Sequence, residues 1–246
     1  MKNNEQLTLK NKIINTAAME LDFPINDSDI DQMASELDSI PNEAWYWCTF
    51  RNSYLICLYG NTDINNKDNL DWLTASESCH RLRRLCEDFI FPMTNKRPRI
   101  IVIRTLPGME MKEHTDCDKD QLANLEPKLR LVVKGRKNNT LYFVNEKNEQ
   151  VHISEEWKSY IMSGAALHGM KNIGTEKYTI CWGDPWIGDN LENVKFVEYM
   201  EQQYEKHGND AITFDSLGKV NHSIGVKNTE VEKIYSWEEW NAYKTS

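Results

Sequence analysis

The chain has 246 residues, with 29 basic and 38 acidic side chains, six histidines and a net charge of −9. That length can bury one sizeable core without disulfide or metal staples. The acidic balance argues against nucleic acid or an anionic membrane surface as partner. No apolar run is long enough to span a bilayer.

Hydrophobic residues make up 40% and charged residues 27%, as in a globular domain. Residues 1–12 are polar and lack the apolar stretch of a signal peptide. The six cysteines, Cys48, Cys57, Cys79, Cys86, Cys117 and Cys181, form no CxxC pair. A zinc knuckle or dithiol redox motif is therefore not expected. They read as reduced, mostly buried thiols of a cytoplasmic protein, with Cys117 a bystander beside a candidate ligand.

In chain order, residues 5–21 carry Leu7, Leu9, Ile13, Ile14, Ala17, Ala18 and Leu21 near helical spacing, which predicts a helix. A second helix is predicted over 28–37, with N-cap candidates at Asn26, Asp27 and Ser28 and Pro41 beyond its end. Residues 44–60 read as an aromatic-rich hairpin around Arg51-Asn52-Ser53. A polar loop over 61–70 leads to a predicted helix over 74–91, with Arg81, Arg83 and Arg84 on a solvated face. The centre then turns β-rich. Strands are predicted over 99–105, 128–134, 140–144, 150–153, 158–162 and 177–182, with no helix between them. Such short strands with polar turns point to a barrel or jelly roll. Helix returns over 190–206, and Trp237 and Trp240 suggest that the polar tail docks on the body. One domain results: residues 1–95 form helical and hairpin support, 97–185 the β core, and 186–246 a C-terminal helical extension.

The chemistry concentrates in that core. His114-x-Asp116 follows the Leu106-Pro107-Gly108 turn, and His168 stands 52 residues beyond Asp116. Two imidazoles and a carboxylate can hold one face of an octahedral metal and leave the other open. His-x-Asp alone is a weak signal in an Asp-rich chain. Its context strengthens it: a turn that redirects the chain, a Ser163-Gly164 turn before His168, and a cation, Lys177, nine residues after His168. A calcium loop starting at Asp116 is excluded, because its sixth and twelfth positions hold Gln121 and Pro127 where Gly and Glu are needed.

Period-2 geometry places Lys177, Thr179 and Cys181 on one face and Tyr178, Ile180 and Trp182 on the other. If Lys177 points inward, small residues surround it and leave room for a ligand. Arg130 shares a face with Val132. Two readings of it stand: an inward arginine paired with a ligand carboxylate, or an edge-strand residue in water.

Taken together, Arg104-x-Leu106-Pro107-Gly108, His114-x-Asp116, Leu129-Arg130-Leu131, Glu156-Trp157 and His168-x-x-x-Asn172-x-Gly174 before a cation and a last strand resemble the aspartyl/asparaginyl β-hydroxylase-like branch of the Fe(II)/2-oxoglutarate dioxygenases. The resemblance covers about residues 97–185. It implies a mainly β fold, a double-stranded β-helix of jelly-roll or cupin-like type. It also implies Fe(II) bound by His114, Asp116 and His168, and 2-oxoglutarate as cosubstrate with its distal carboxylate on Lys177. The chain departs from the family pattern in having Lys177 for the usual arginine and in a longer, more polar segment between Asp116 and Leu129. Arg130 is a candidate for binding cosubstrate or substrate, and Arg104 for a substrate carboxylate. The expected reaction is O2-dependent hydroxylation of an amino acid, peptide or small metabolite, with release of succinate and CO2. The retained Asp116 favours hydroxylation over halogenation. The alternative is a non-catalytic cupin-like metal-binding or sensing protein. Nucleic-acid demethylation is disfavoured by the charge.

Overall fold

The computed structural model describes residues 2–49, 51–62, 69–116, 128–137, 141–183, 190–218, 234–239 and 242. The chain opens with helix α1 (Lys2–Asn15) and continues directly into strand β1 (Thr16–Leu21). One helix over 5–21 was the expectation, and its second half is a strand. Ala, Met, Glu and Leu favour helix locally, but the segment pairs along its length with a later strand, and tertiary pairing overrides that preference. Helix α2 (Asp27–Asp38) begins at a full capping box: Asn26 accepts from the Asp29 amide, and Asp29 accepts from the Asn26 amide. It buries Ile30, Met33 and Leu37.

The predicted hairpin is present as β2 (Tyr46–Cys48) and β3 (Ser53–Gly60), with Asn52 at φ 45° in its turn. A short β4 (Asp71–Trp72) pairs with β3. The helix expected over 74–91 is broken. A 3-10 turn, Thr74–Ser76, precedes α3 (His80–Leu85), which runs into a π turn, Cys86–Ile90, and a 3-10 turn, Phe91–Met93. Its arginines do more than face water. Arg81 Nε lies 2.7 Å from Asp29 Oδ1, and the Arg83 guanidinium sits over the Trp72 ring.

Among the described residues eight strands follow: β5 (Arg99–Thr105), β6 (Glu110–His114), β7 (Lys128–Lys134), β8 (Leu141–Val144), β9 (Gln150–His152), β10 (Ser159–Met162), β11 (His168–Lys171) and β12 (Lys177–Gly183). Within the large sheet, β10, β7, β12 and β5 are adjacent in that order. The small sheet runs β6-β11-β8-β9, and every described pairing is antiparallel. The chain thus crosses repeatedly between two facing sheets, which is the double-stranded β-helix, a jelly roll. Strands β1 and β3 extend the large sheet on either side. After helix α4 (Val194–His207), β13 (Ile212–Thr213) adds to β1 and β14 (Ile234–Tyr235) to β2. The C-terminal extension is therefore partly strand. Trp237 packs on Tyr54, with ring centroids 5.4 Å apart, whereas Trp240 lies outside the described residues.

The large sheet has two different faces. Ile100, Val102, Leu129, Leu131, Val133, Tyr178, Ile180 and Trp182 share one core with Met33, Leu82, Leu85, Phe196 and Met200 of the helices. Between the sheets, Val132, Tyr160 and Met162 cluster with Met111, Leu141, Phe143 and Met170 of the small sheet. This is the expected alternation along β7 and β12. Among the described residues, no helix is long and apolar enough to cross a membrane. The five described cysteines are free and buried, and Cys117 lies outside the described residues.

Candidate metal centre

His114 ends β6 and His168 begins β11, and the two are Cα partners across the small sheet. The antiparallel register therefore brings together side chains far apart in sequence. Asp116 lies just past β6, and its amide donates to Gly164 O at 2.8 Å in the loop before β11. Ligand atoms of His114, Asp116 and His168 all lie within 4.8 Å of one another. Asp116 Oδ1 is 3.5 Å from His114 Nε2 and 3.9 Å from His168 Nε2. Ligands about 2.1 Å from one ion and cis to each other would stand about 3 Å apart, so a small inward adjustment seats one.

Both imidazoles are oriented in the same way. His114 Nδ1 contacts Lys112 O and His168 Nδ1 contacts Ala166 O, each at 2.8 Å and each two residues back along its own chain. A carbonyl can only accept, so each Nδ1 carries the proton and each Nε2 presents its lone pair toward Asp116. Burial, and then the neighbouring His114, push His168 down to about 3, which keeps the imidazole neutral as a metal ligand must be. Burial alone would raise the Asp116 carboxyl. The Lys128 ammonium, with the nearby His114, His168 and Arg51, outweighs it and holds the group well below the usual carboxylate range.

The donor set fits a divalent cation. Asp116 Oδ1 is buried and has no hydrogen-bond partner among the described residues. A buried carboxylate oxygen held ionised in this way is costly until a cation meets it. Its other oxygen, Oδ2, receives Lys128 Nζ at 3.3 Å. Gly164 completes the cradle, since a Cβ there would come within 2.6 Å of Asp116 Cβ and 2.8 Å of its Cγ. Neither Lys128 nor Gly164 was singled out from sequence for this role. Lys128 could have been, because it shares the period-2 face of Arg130.

Lys177 is fully buried at the start of β12, and its Nζ lies 3.7 Å from Met170 Sδ on β11. Burial pushes it down to about 7. Thr179 and Cys181 follow it on the inner face, so the expected small residues are there. Arg130 is also inward. It sits on β7, flanked on both sides by β10 and β12, opposite Cys181 and only 6% exposed. The edge-strand alternative is thereby removed. Arg104 is not brought to this group. It lies on the opposite face, with Nε 2.7 Å from Glu176 Oε1, Nη1 2.7 Å from Asn42 Oδ1, and its guanidinium over Trp45.

No protein-family model matches the chain, and no curated protein does. Solved structures with a similar course include a Pseudomonas putida prolyl-4-hydroxylase (10% identity, 72% of this chain and 97% of that one, TM-score 0.46). A 2OG-Fe(II) oxygenase family oxidoreductase from Burkholderia pseudomallei is comparable (12%, 74% and 89%, 0.45). So is HygX from Streptomyces hygroscopicus with nickel and 2-oxoglutarate bound (11%, 73% and 86%, 0.42). These identities and scores are too low to transfer a function, and the fold assignment stands on the strand order itself.

Proposed function

We propose that this protein is an Fe(II)- and 2-oxoglutarate-dependent oxygenase that hydroxylates an unactivated C–H bond of an amino acid, peptide or small metabolite. The observation that carries the reading is the convergence of His114, Asp116 and His168, with both Nε2 atoms turned toward the ionised carboxylate. Two histidines and one carboxylate leave half of an octahedron open, the arrangement suited to non-heme Fe(II) oxygenases. The sequence motifs support the aspartyl/asparaginyl hydroxylase-like branch.

His114, Asp116 and His168 would hold the iron, and Lys128 would keep Asp116 from rotating away. Lys177 supplies the cation for the distal carboxylate of 2-oxoglutarate. It contacts Met170, two residues along β11 from His168, a step of about 7 Å that suits a five-carbon diacid. Arg130 stands on the same inner wall as a second cation for cosubstrate or substrate. Fe(II) with 2-oxoglutarate supplies, when bound, the O2-driven oxidation that converts C–H to C–OH with release of succinate and CO2. The buried inner walls exclude water from that chemistry.

The test has two stages. Fe(II) and 2-oxoglutarate added anaerobically should give a visible charge-transfer band, absent from His114→Ala, Asp116→Ala and His168→Ala. A succinate-release screen against amino acids and peptides should then find a product heavier by one oxygen. A metal-binding protein that shows neither band nor turnover would be the cupin-like sensor instead.

A further inference from the structure

A second polar space opens at the seam between the two sheets, away from the metal centre. Among the described residues, β13 is the outer strand of the large sheet and β9 that of the small sheet. On β1, Glu20 is paired with Tyr160 and Ala18 with Ile212. Tyr160 and Ala18 belong to the cluster between the sheets, and cross-strand partners share a face, so Glu20 and Ile212 turn the same way. Trp157 comes from the loop after β9 and stands against Tyr160, with ring centroids 6.5 Å apart. The end of α4 and the 3-10 turn Gly208–Asp210 bring His207 and Asp210 to the same place. Together these side chains border a cavity of about 420 Å³.

The polar groups of the cavity are unevenly matched. Asp22, beside it, takes Lys206 Nζ at 2.6 Å and His207 Nε2 at 3.1 Å. The other ring nitrogen of His207 stands 3.5 Å from Glu20 Oε2. Among the described residues, neither Glu20 nor Asp210 pairs with a lysine or an arginine. Trp157 is only 8% exposed, yet its indole N–H has no hydrogen-bond partner among the described residues. That nitrogen is not among the sealed-off polar atoms either, so it opens on the cavity that the residue lines. A donor at such depth is ordinarily matched. The cavity therefore offers two carboxylates for a cation and one indole N–H for an acceptor, with Ile212 and the indole ring as apolar walls.

We propose that this cavity docks a basic residue of a peptide. Glu20 and Asp210 hold the lysine ammonium or arginine guanidinium, and a main-chain carbonyl of the peptide accepts from the Trp157 indole N–H. Charge-assisted hydrogen bonds to carboxylates are the strong contacts here. The alkyl stem of the basic residue lies against Ile212 and Trp157, as such stems do on apolar surface. The net charge of −9 favours the approach of a cationic peptide. The inference does not rest on the oxygenase reading. β9 is two strands from β11, about 10 Å, and no metal ligand borders the cavity.

The experiment uses the full chain at pH 8, where an imidazole ordinarily carries no charge. The probe is the blocked tripeptide acetyl-alanyl-lysyl-alanine amide, compared with its side-chain-acetylated form and with cadaverine. Binding is followed by calorimetry and by the indole N–H signals of nitrogen-15-labelled protein, the Trp157 signal being the one missing from Trp157→Phe. The lysine peptide should bind and move that signal, and the acetylated peptide should do neither. Glu20→Gln combined with Asp210→Asn should weaken binding at least about tenfold at an unchanged urea midpoint, and Trp157→Phe about fivefold. His168→Ala should bind the peptide as wild type does. No binding to wild type, equal affinity for the acetylated peptide, or undiminished binding in the double variant would overturn the proposal. Cadaverine binding as tightly as the peptide would remove the carbonyl contact and refute a peptide ligand. Loss of binding in His168→Ala would place the peptide at the metal centre and refute the site.

Discussion

Gly164→Ala is the sharpest test of the metal centre, because it alters no ligand. The new Cβ would lie 2.6 Å from Asp116 Cβ. Carbon atoms in contact prefer about 3.5 Å, so the aspartate must retreat by about 1 Å. Metal–ligand distances tolerate only about 0.2 Å. The backbone itself offers no obstacle, since Gly164 is not among the glycines with positive φ. The cost therefore falls on the site rather than on the fold. Loss of supporting contacts around a metal ligand typically costs 10–100-fold in affinity. Because Asp116 itself is displaced, the upper end is expected, about 100-fold or about 2.7 kcal/mol. Ni(II) titration against a competing chelator measures this directly, with the urea midpoint followed in parallel. Gly183→Ala is the matched control, since its Cβ meets no described residue within 4 Å and metal affinity should not change. An affinity for Gly164→Ala within threefold of wild type, at unchanged stability, would mean that Asp116 is not held against Gly164 or does not ligate.

Other predictions concern charge. Lys177 is pushed down to about 7, so near pH 8 it is mostly neutral; binding a carboxylate should recharge it. Calorimetry of 2-oxoglutarate binding at pH 8 in buffers of different ionisation enthalpy should therefore report uptake of close to one proton, and no buffer dependence would count against Lys177 as the anchor. Lys177→Met should raise the stability of the metal-free protein by about 1–3 kcal/mol, read from urea midpoints, because a buried amine is replaced by an apolar chain of similar length. The same variant should bind 2-oxoglutarate at least tenfold more weakly. His168 has a folded pKa below its unfolded value, so the unfolded chain binds more protons between about pH 6.5 and 3. Its contribution to metal-free stability is complete above that window and is lost as pH falls through it. A flat urea midpoint from pH 7 to 4 would contradict the buried, neutral imidazole.

The strands that sequence located best are those with strong β composition. Residues 99–105 and 177–183 are rich in Ile, Val, Tyr and Thr, and their faces alternate as the pattern requires. The ligand strands escaped notice for the opposite reason. β6 reads EMKEH and β11 reads HGMK, too short and polar to show a period. Their conformation comes from pairing with each other and with β8, which no local pattern encodes. β1 was hidden by helix-favouring residues, and its identity depends on β10, more than 130 residues away. At the site, residue types and order were enough to single out His114, Asp116, His168 and Lys177. The same reasoning could not separate Arg130 from Arg104. Both are strand arginines, and only sheet order shows one walled in beside the triad and the other turned toward Glu176.

The pairing of His114 with His168 has a mechanical side. Among the described residues, β6 is the outer strand of the small sheet and is laddered to β11 alone. An ion bridging the two imidazoles would rivet the end of that strand to β11. Stripping it should let the β6 amides exchange with solvent sooner than those of β8 or β11, so deuterium uptake along residues 110–114 becomes a local gauge of metal occupancy that needs neither substrate nor turnover.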